Sequence, residues 1–214
     1  FDGAWDFSNG FGRIKLEGKG WNYINTQGVL LWKEDKWFDY VVDFKNGFAR
    51  VKVEGKGWNI INTNGELVWK GDKNYDNVGE FYNGFALVQI EGKGWNLINT
   101  QGELVWKEYK NFYSVCYFKN GFARVKIEGK GWNFINTKGE FLWKGDKWFD
   151  NVGECSGGFA RVKVEGKGFN FINTNGELVW KGDKWFDWVS DFSNGFAVVK
   201  LESKYNYINP QGEL

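Results

Sequence analysis

The residues best placed to do chemistry in this sequence are carboxylates set beside amines at a fixed interval. Glu17, Glu54, Glu91, Glu128, Glu165 and Glu202 each stand two residues before a lysine: Lys19, Lys56, Lys93, Lys130, Lys167 and Lys204. A catalytic acid or base owes its pKa to surroundings of its own. A group written six times over reads instead as a cross-turn charge pair. Histidine is absent, which removes the usual general base, the commonest metal ligand and the Ser-His-Asp arrangement together. Two cysteines, Cys116 and Cys155, are too few for a zinc site. Gly18-Lys19-Gly20 has neither the spacing of a phosphate loop nor a helix after it. Asp72 and Asp146 are each followed by lysine (Lys73, Lys147), where a calcium site needs converging oxygens. The expectation is a protein that is not an enzyme and holds no cofactor or metal.

The fourteen tryptophans carry the sharper signal, and they sort into three sets. Trp21, Trp58, Trp95 and Trp132 open one recurring segment; Trp32, Trp69, Trp106, Trp143 and Trp180 close another. Both sets keep the period, which points to an aromatic ladder that interlocks neighbouring units. Trp37, Trp148 and Trp185 share a loop position that is asparagine at Asn74 and Asn111, and Trp5 and Trp188 vary likewise. A position that accepts tryptophan or asparagine is not filling a fixed core slot. These five are the candidate ligand-binding residues: exposed rings for a sugar face, with Asn and Asp nearby for its hydroxyls. Packing at unit junctions is the competing reading.

The elements that must position these groups follow from an internal repeat. Gly10-Phe11, Gly47-Phe48, Gly84-Phe85, Gly121-Phe122, Gly158-Phe159 and Gly195-Phe196 recur every 37 residues, a period characteristic of repeat architectures. Six units account for the chain as a single repeat domain: residues 1–37, 38–74, 75–111, 112–148, 149–185 and a shorter 186–214. In the second unit, residues 40–44 are apolar and Asn46-Gly47 is a hairpin signal, since both residues tolerate positive φ. Residues 48–54 alternate strictly, Ala49, Val51 and Val53 on one face and Phe48, Arg50, Lys52 and Glu54 on the other. Residues 58–63 read as a third strand and 66–70 as a fourth. No window holds helical spacing, and 30 glycines oppose long helices. The fold is therefore all-β, six antiparallel meanders. The unit count favours a six-bladed β-propeller. The charged row on the second strand favours the alternative, an open superhelical array with one wet face, because unpaired buried charge is costly.

Composition narrows the partners. The 28 basic and 27 acidic residues, for a net charge of +1, alternate throughout. They form no basic stripe of the kind nucleic acid or an anionic membrane requires. No apolar run approaches the roughly 18 residues of a transmembrane helix. Cys116 aligns with Gly79 and Gly153, and Cys155 with Phe44, Phe81, Phe118 and Phe192, so the cysteines are isolated substitutions and not a disulfide framework. Cys155 reads as a small hydrophobe in a phenylalanine slot.

These residues resemble the bacterial WG (KWG) repeat family, whose units run roughly F-S-x-G-L-A-x-V and then G-K-W-G-Y-I-D-x-x-G. The matching residues are Phe192-Ser193-Asn194-Gly195-Phe196-Ala197 with Val199, and Gly129-Lys130-Gly131-Trp132-Asn133-Phe134-Ile135-Asn136 with Gly139. The resemblance covers all six units. Tryptophan here follows the glycine, and Asn136 and its counterparts stand where the family has aspartate. The resemblance implies a β-repeat scaffold, assigns no activity, and points to a bacterial protein, surface-associated or secreted. The expected function is a non-enzymatic binding module for a protein or glycan. The alternative is a self-assembling structural protein of a surface layer, sheath or filament.

Overall fold

The Asn-Gly pairs do what their conformational freedom allows. Asn46 and Gly47 take φ of 53° and 82°, the left-handed pair that matches a tight turn to the twist of its strands. In the computed structural model, which describes residues 1–35, 37–71, 74–90, 92–107 and 112–214, each repeat is an antiparallel three-stranded meander. Repeat 1 contains β1 (Gly3–Ser8), β2 (Phe11–Leu16) and β3 (Gly20–Asn25). Repeat 2 contains β4 (Tyr40–Val41), β5 (Phe48–Val53) and β6 (Gly57–Asn62), and repeat 3 contains β7 (Asn77–Val78), β8 (Phe85–Ile90) and β9 (Gly94–Asn99). These three form one compact unit, Phe1–Asn111. The second compact unit, Phe112–Leu214, begins with β10 (Phe112–Val115), β11 (Phe122–Ile127) and β12 (Gly131–Asn136). It continues with β13 (Asn151–Ser156), β14 (Phe159–Val164) and β15 (Gly168–Asn173), then β16 (Trp188–Val189), β17 (Ala197–Leu201) and β18 (Lys204–Ile208). Neither a helix nor a closed sheet occurs among the described residues.

The fourth strand expected from the sequence is not a regular strand. It is a single bridge, Ile61 with Leu67 in repeat 2, extended by the Val68 N–H donating to the Ile60 carbonyl (2.8 Å). One residue further, the backbone partner is a side chain. Asn59, wholly buried, accepts from the Trp69 N–H (3.2 Å) and donates to the Trp69 carbonyl (2.9 Å). It also accepts from the Ile60 N–H (2.7 Å). The amide side chain thus stands in for a peptide group, and the chain leaves the sheet there. Asn22, Asn96, Asn133 and Asn170 repeat the clamp on Trp32, Trp106, Trp143 and Trp180. The chain rejoins the same edge at Phe38, which exchanges two backbone bonds with Trp21 (2.8 and 3.0 Å).

Within each unit the cores lie between successive repeats. Phe44 of repeat 2 stacks on Phe11 (4.3 Å) and meets Tyr23 edge-on (4.9 Å). Phe192 does the same with Phe159 (4.4 Å) and Phe171 (4.8 Å). Burying each ring contributes about 1.5–3 kcal/mol. Cys155 fills the equivalent place in repeat 5, buried against Val152 and Val164, and burial pushes its thiol pKa up. Polar contacts cross the same joints. The Asn9 amide donates to the Phe44 carbonyl (2.8 Å), the Asn46 amide to the Phe81 carbonyl (3.0 Å) and the Tyr23 hydroxyl to the Val42 carbonyl (2.6 Å).

This packing changes the meaning of the charged row. The face expected to be wet is wet only at its far end, at Lys15 and Lys52; Arg13 and Arg50 are half-buried against the next repeat. Arg13 meets Asp43 at 2.6 Å, Arg161 meets Asp191 at 2.7 Å, and Arg50 donates to the Val78 carbonyl at 3.2 Å. The arginines are paired across joints, so a strand with both faces packed accommodates them.

Candidate functional site

The register of β2 on β3 sets Lys15 opposite Trp21, and that of β4 on β5 sets Tyr40 opposite Lys52. Both pairs lie at the end of the charged face that the next repeat leaves open. There the rings line up across the joint. Trp5 and Trp21 are 4.5 Å apart, Trp21 and Tyr40 6.2 Å, and Tyr40 and Trp58 5.9 Å, measured between ring centroids. Arg13 lies over the Trp5 ring (5.8 Å) and Lys15 over the Trp21 ring (5.6 Å), both at cation–π distance. Trp5 and Tyr40 are exposed; Trp21 and Trp58 are half-covered.

Beside this row, sharing Lys15, is a cleft of about 710 Å³ between repeats 1 and 2. The Gly18-Lys19-Gly20 turn forms one wall and Trp37 and Phe38 the floor; Asp2, Glu17, Asp35, Asp39 and Glu54 supply carboxylates and Lys15 and Lys19 the amines. The Asp2 carboxylate also holds the turn in place by accepting the Glu17 N–H (2.5 Å), as Asp150 accepts that of Glu165 (2.6 Å). A second cleft, of about 470 Å³, lies between repeats 5 and 6 and is lined by Gly166, Lys167, Asp183, Lys184, Trp185, Asp187, Leu201 and Glu202. Moved by four repeats, these are the positions of Gly18, Lys19, Asp35, Lys36, Trp37, Asp39, Val53 and Glu54. The two clefts are the same site built twice.

The five tryptophans singled out from the sequence fall in different places. Trp37 and Trp185 line the two clefts, Trp5 heads the aromatic row and Trp188 is exposed at the row's equivalent position in repeat 6. Trp148 is half-covered and packs on Phe141 at 4.9 Å. The expectation that all five are exposed loop rings is corrected at Trp37, which is buried because Phe38 beside it is drawn into the joint by its pairing with Trp21. Asn74, at the same position, is buried too and accepts from the Asn59 amide (2.9 Å). Asn111, Glu91, Asp72 and Lys73 lie outside the described residues. The cross-turn pairs expected of the recurring glutamates are not made by Glu17, Glu165 or Glu202. Glu202 meets Lys184 of the preceding repeat instead (2.5 Å), and that hydrogen bond raises the lysine's pKa. Sequence reasoning missed Tyr40 and the aspartates at 2, 39 and 187, although an aspartate after the aromatic that opens the repeat recurs in five of the six repeats.

A chain of joints built from the same residues defines a repeat β-rich scaffold. The protein belongs to the WG repeat family: the profile described as "WG containing repeat" matches residues 1–19, 38–56, 58–93, 95–130 and 186–205, more than half of the chain. No curated protein matches the sequence. Among solved structures it is similar to the computationally designed protein Ika8, at 11% identity over 97% of this chain and 71% of that one, with a TM-score of 0.41. It is also similar to BamB from Moraxella catarrhalis, at 11% identity over 99% and 74% with a TM-score of 0.35. The WD40 β-propeller domain of Doa1 aligns at 12% identity over 94% and 76%, with a TM-score of 0.32. Likenesses of that strength imply nothing about what this chain binds.

Proposed function

We propose that this chain is a non-enzymatic binding scaffold that takes neutral carbohydrate chains at the clefts between its repeats. The observation that carries the reading is the recurrence of one cleft at two joints, each with a tryptophan, a lysine-bearing turn and converging carboxylates. Volumes of about 710 and 470 Å³ fall within the range of small-ligand sites, about 300–1,000 Å³. In the first cleft five carboxylates face two lysines. That balance suits hydroxyl donors and disfavours an anionic ligand, since hydrogen bonds to a carboxylate are among the stronger ones. The adjacent row of Trp5, Trp21 and Tyr40 offers ring faces to the apolar side of a sugar.

The test is calorimetric titration with neutral oligosaccharides chosen from a glycan array. Binding should weaken at least about tenfold, or 1.4 kcal/mol, in Tyr40→Ala and in Asp39→Ala. Silence of the folded protein across neutral glycans at millimolar concentration would sink the reading, and capture of an anionic glycan would overturn its electrostatic basis. For the architecture, a six-bladed propeller, with an open superhelical array as its alternative, is the reading of six meanders that we carry forward. Solution scattering decides it: a closed form of this length has a radius of gyration near about 17 Å, and an open array a markedly larger one.

A further inference from the structure

The two clefts share their residue types, but the loop that walls each one is seated differently. That loop begins at the clamped tryptophan: Trp32-Lys33-Glu34-Asp35 in repeat 1 and Trp180-Lys181-Gly182-Asp183 in repeat 5. Gly182 lies flat on the Trp180 indole, where a Cβ would come within 2.4 Å of Cζ2 and 2.7 Å of Nε1. Its φ is not left-handed, so the ring requires this glycine and the turn does not. Gly71 and Gly145 lie on Trp69 and Trp143 in the same way. The ring also ties down the far end of the loop. The Trp180 Nε1–H donates to the Lys184 carbonyl (2.9 Å), as that of Trp143 does to the Lys147 carbonyl (3.0 Å). Lys184, so placed, reaches Glu202 of the next repeat (2.5 Å) at the edge of the cleft that both residues line.

Glu34 cannot take that seat. The Trp32 ring has not moved aside for it, lying 5.0 Å from Phe38 at 43°, against 5.2 Å and 39° for Trp180 and Phe186. With the ring in place, a residue that bears a Cβ must stand off it, and Glu34 is exposed. The next residue, Asp35, lines the cleft, so the displacement is passed to the wall. The cleft with the glutamate loop has about 710 Å³ and the one with the glycine loop about 470 Å³. The difference leaves room for a further sugar ring. We propose that residue 34 and its equivalent, residue 182, set how thick a saccharide chain each cleft admits. The Gly182 cleft takes unbranched chains alone; the Glu34 cleft also takes chains that carry single-sugar branches. This selectivity rests on the clefts taking carbohydrate, as proposed above.

Calorimetric titration of the full chain with matched probes tests this. The probes are linear hexasaccharides of β-1,4-glucan, β-1,4-mannan and β-1,4-xylan, and xyloglucan, galactomannan and arabinoxylan fragments of the same backbones. A linear probe is expected to fill both clefts of the wild type, and its branched partner only the cleft of repeats 1 and 2. Glu34→Gly should weaken the branched probe at least about tenfold and the linear probe far less. Gly182→Glu should give the branched probe a second site. A readout that needs no sugar follows the loop itself. The Trp180 indole N–H, slowed in exchange by its bond to Lys184, should exchange faster in Gly182→Glu at unchanged circular dichroism. Gly182→Ala, which adds the Cβ alone, replaces that variant if it fails to fold. Unchanged indole exchange overturns the proposal, and so does a branched probe that fills both wild-type clefts. Linear probes that bind while neither substitution alters the branched ones overturn the selectivity alone. Silence of the wild type toward every probe overturns the selectivity, and silence across the glycan array as well removes the carbohydrate reading beneath it.

Discussion

At the scale of the residue, the asparagine clamp is where most specificity is concentrated. Asn59 satisfies two backbone N–H groups and one carbonyl from a position with no access to water. Removing its amide strands those partners, at about 1–3 kcal/mol for each buried group left unpaired. Asn59→Ala should therefore lower unfolding stability by about 3 kcal/mol or more, read from urea denaturation. Asn206→Ala should be close to neutral, because the Asn206 side chain is exposed and, among the described residues, accepts just the next N–H, that of Tyr207. Tyr23 yields a pH prediction. Its burial, chiefly, holds the phenol pKa well above the ordinary 10.0. Below about pH 10 the folded and unfolded chains both keep the proton, and the contribution of Tyr23 is complete. As pH rises further the unfolded chain ionises first, and stability falls. Tyr23→Phe should cost about 1 kcal/mol at neutral pH, for the bond to Val42, and should flatten the alkaline decline. An equal decline in the variant would assign it to other groups.

At the scale of the element, two turn glycines with the same φ have different reasons to be glycine. Gly47, at φ 82°, has nothing within 4 Å of where a Cβ would sit; Gly65, at φ 81°, would put a Cβ 2.4 Å from the Leu31 carbonyl of the preceding repeat. Gly47→Ala should cost only the left-handed strain, about 1–2 kcal/mol. Gly65→Ala should cost clearly more, because backbone at a joint must move. Equal melting temperatures would refute the distinction. This contrast also explains what was legible beforehand. Period-two alternation and Asn-Gly turns are local signals, and they located the strands of each meander. The fourth segment reads as a strand by the same rule, at Leu67 and Trp69, but a single asparagine diverts it. A side chain acting as a peptide group leaves no periodic trace. The covering of Trp37 and the pairing of Arg13 and Arg161 were hidden for a related reason. Both are set by the neighbouring repeat, which alternation within one repeat does not describe.

At the scale of the molecule, stability within each compact unit is a sum over joints, because each core there is shared by adjacent repeats and such arrays couple chiefly to nearest neighbours. The clamp variant Asn59→Ala should thus raise amide exchange most in repeats 1 to 3. Repeats 5 and 6 should stay near wild type, as measured by peptide-resolved hydrogen exchange. Loss of protection spread evenly over all six would contradict the additive picture. The joints have one more consequence. In the joints among repeats 1 to 3 a turn asparagine of one repeat donates to a carbonyl 35 residues later, Asn9 to Phe44 and Asn46 to Phe81, and between repeats 5 and 6 the Ser156 hydroxyl donates to the Phe192 carbonyl instead. A tandem duplication or loss of exactly one such 37-residue unit carries a whole donor and a whole acceptor with it, so a joint of this kind is still matched. Unequal recombination within the gene can then lengthen or shorten the protein in one step without any compensating substitution.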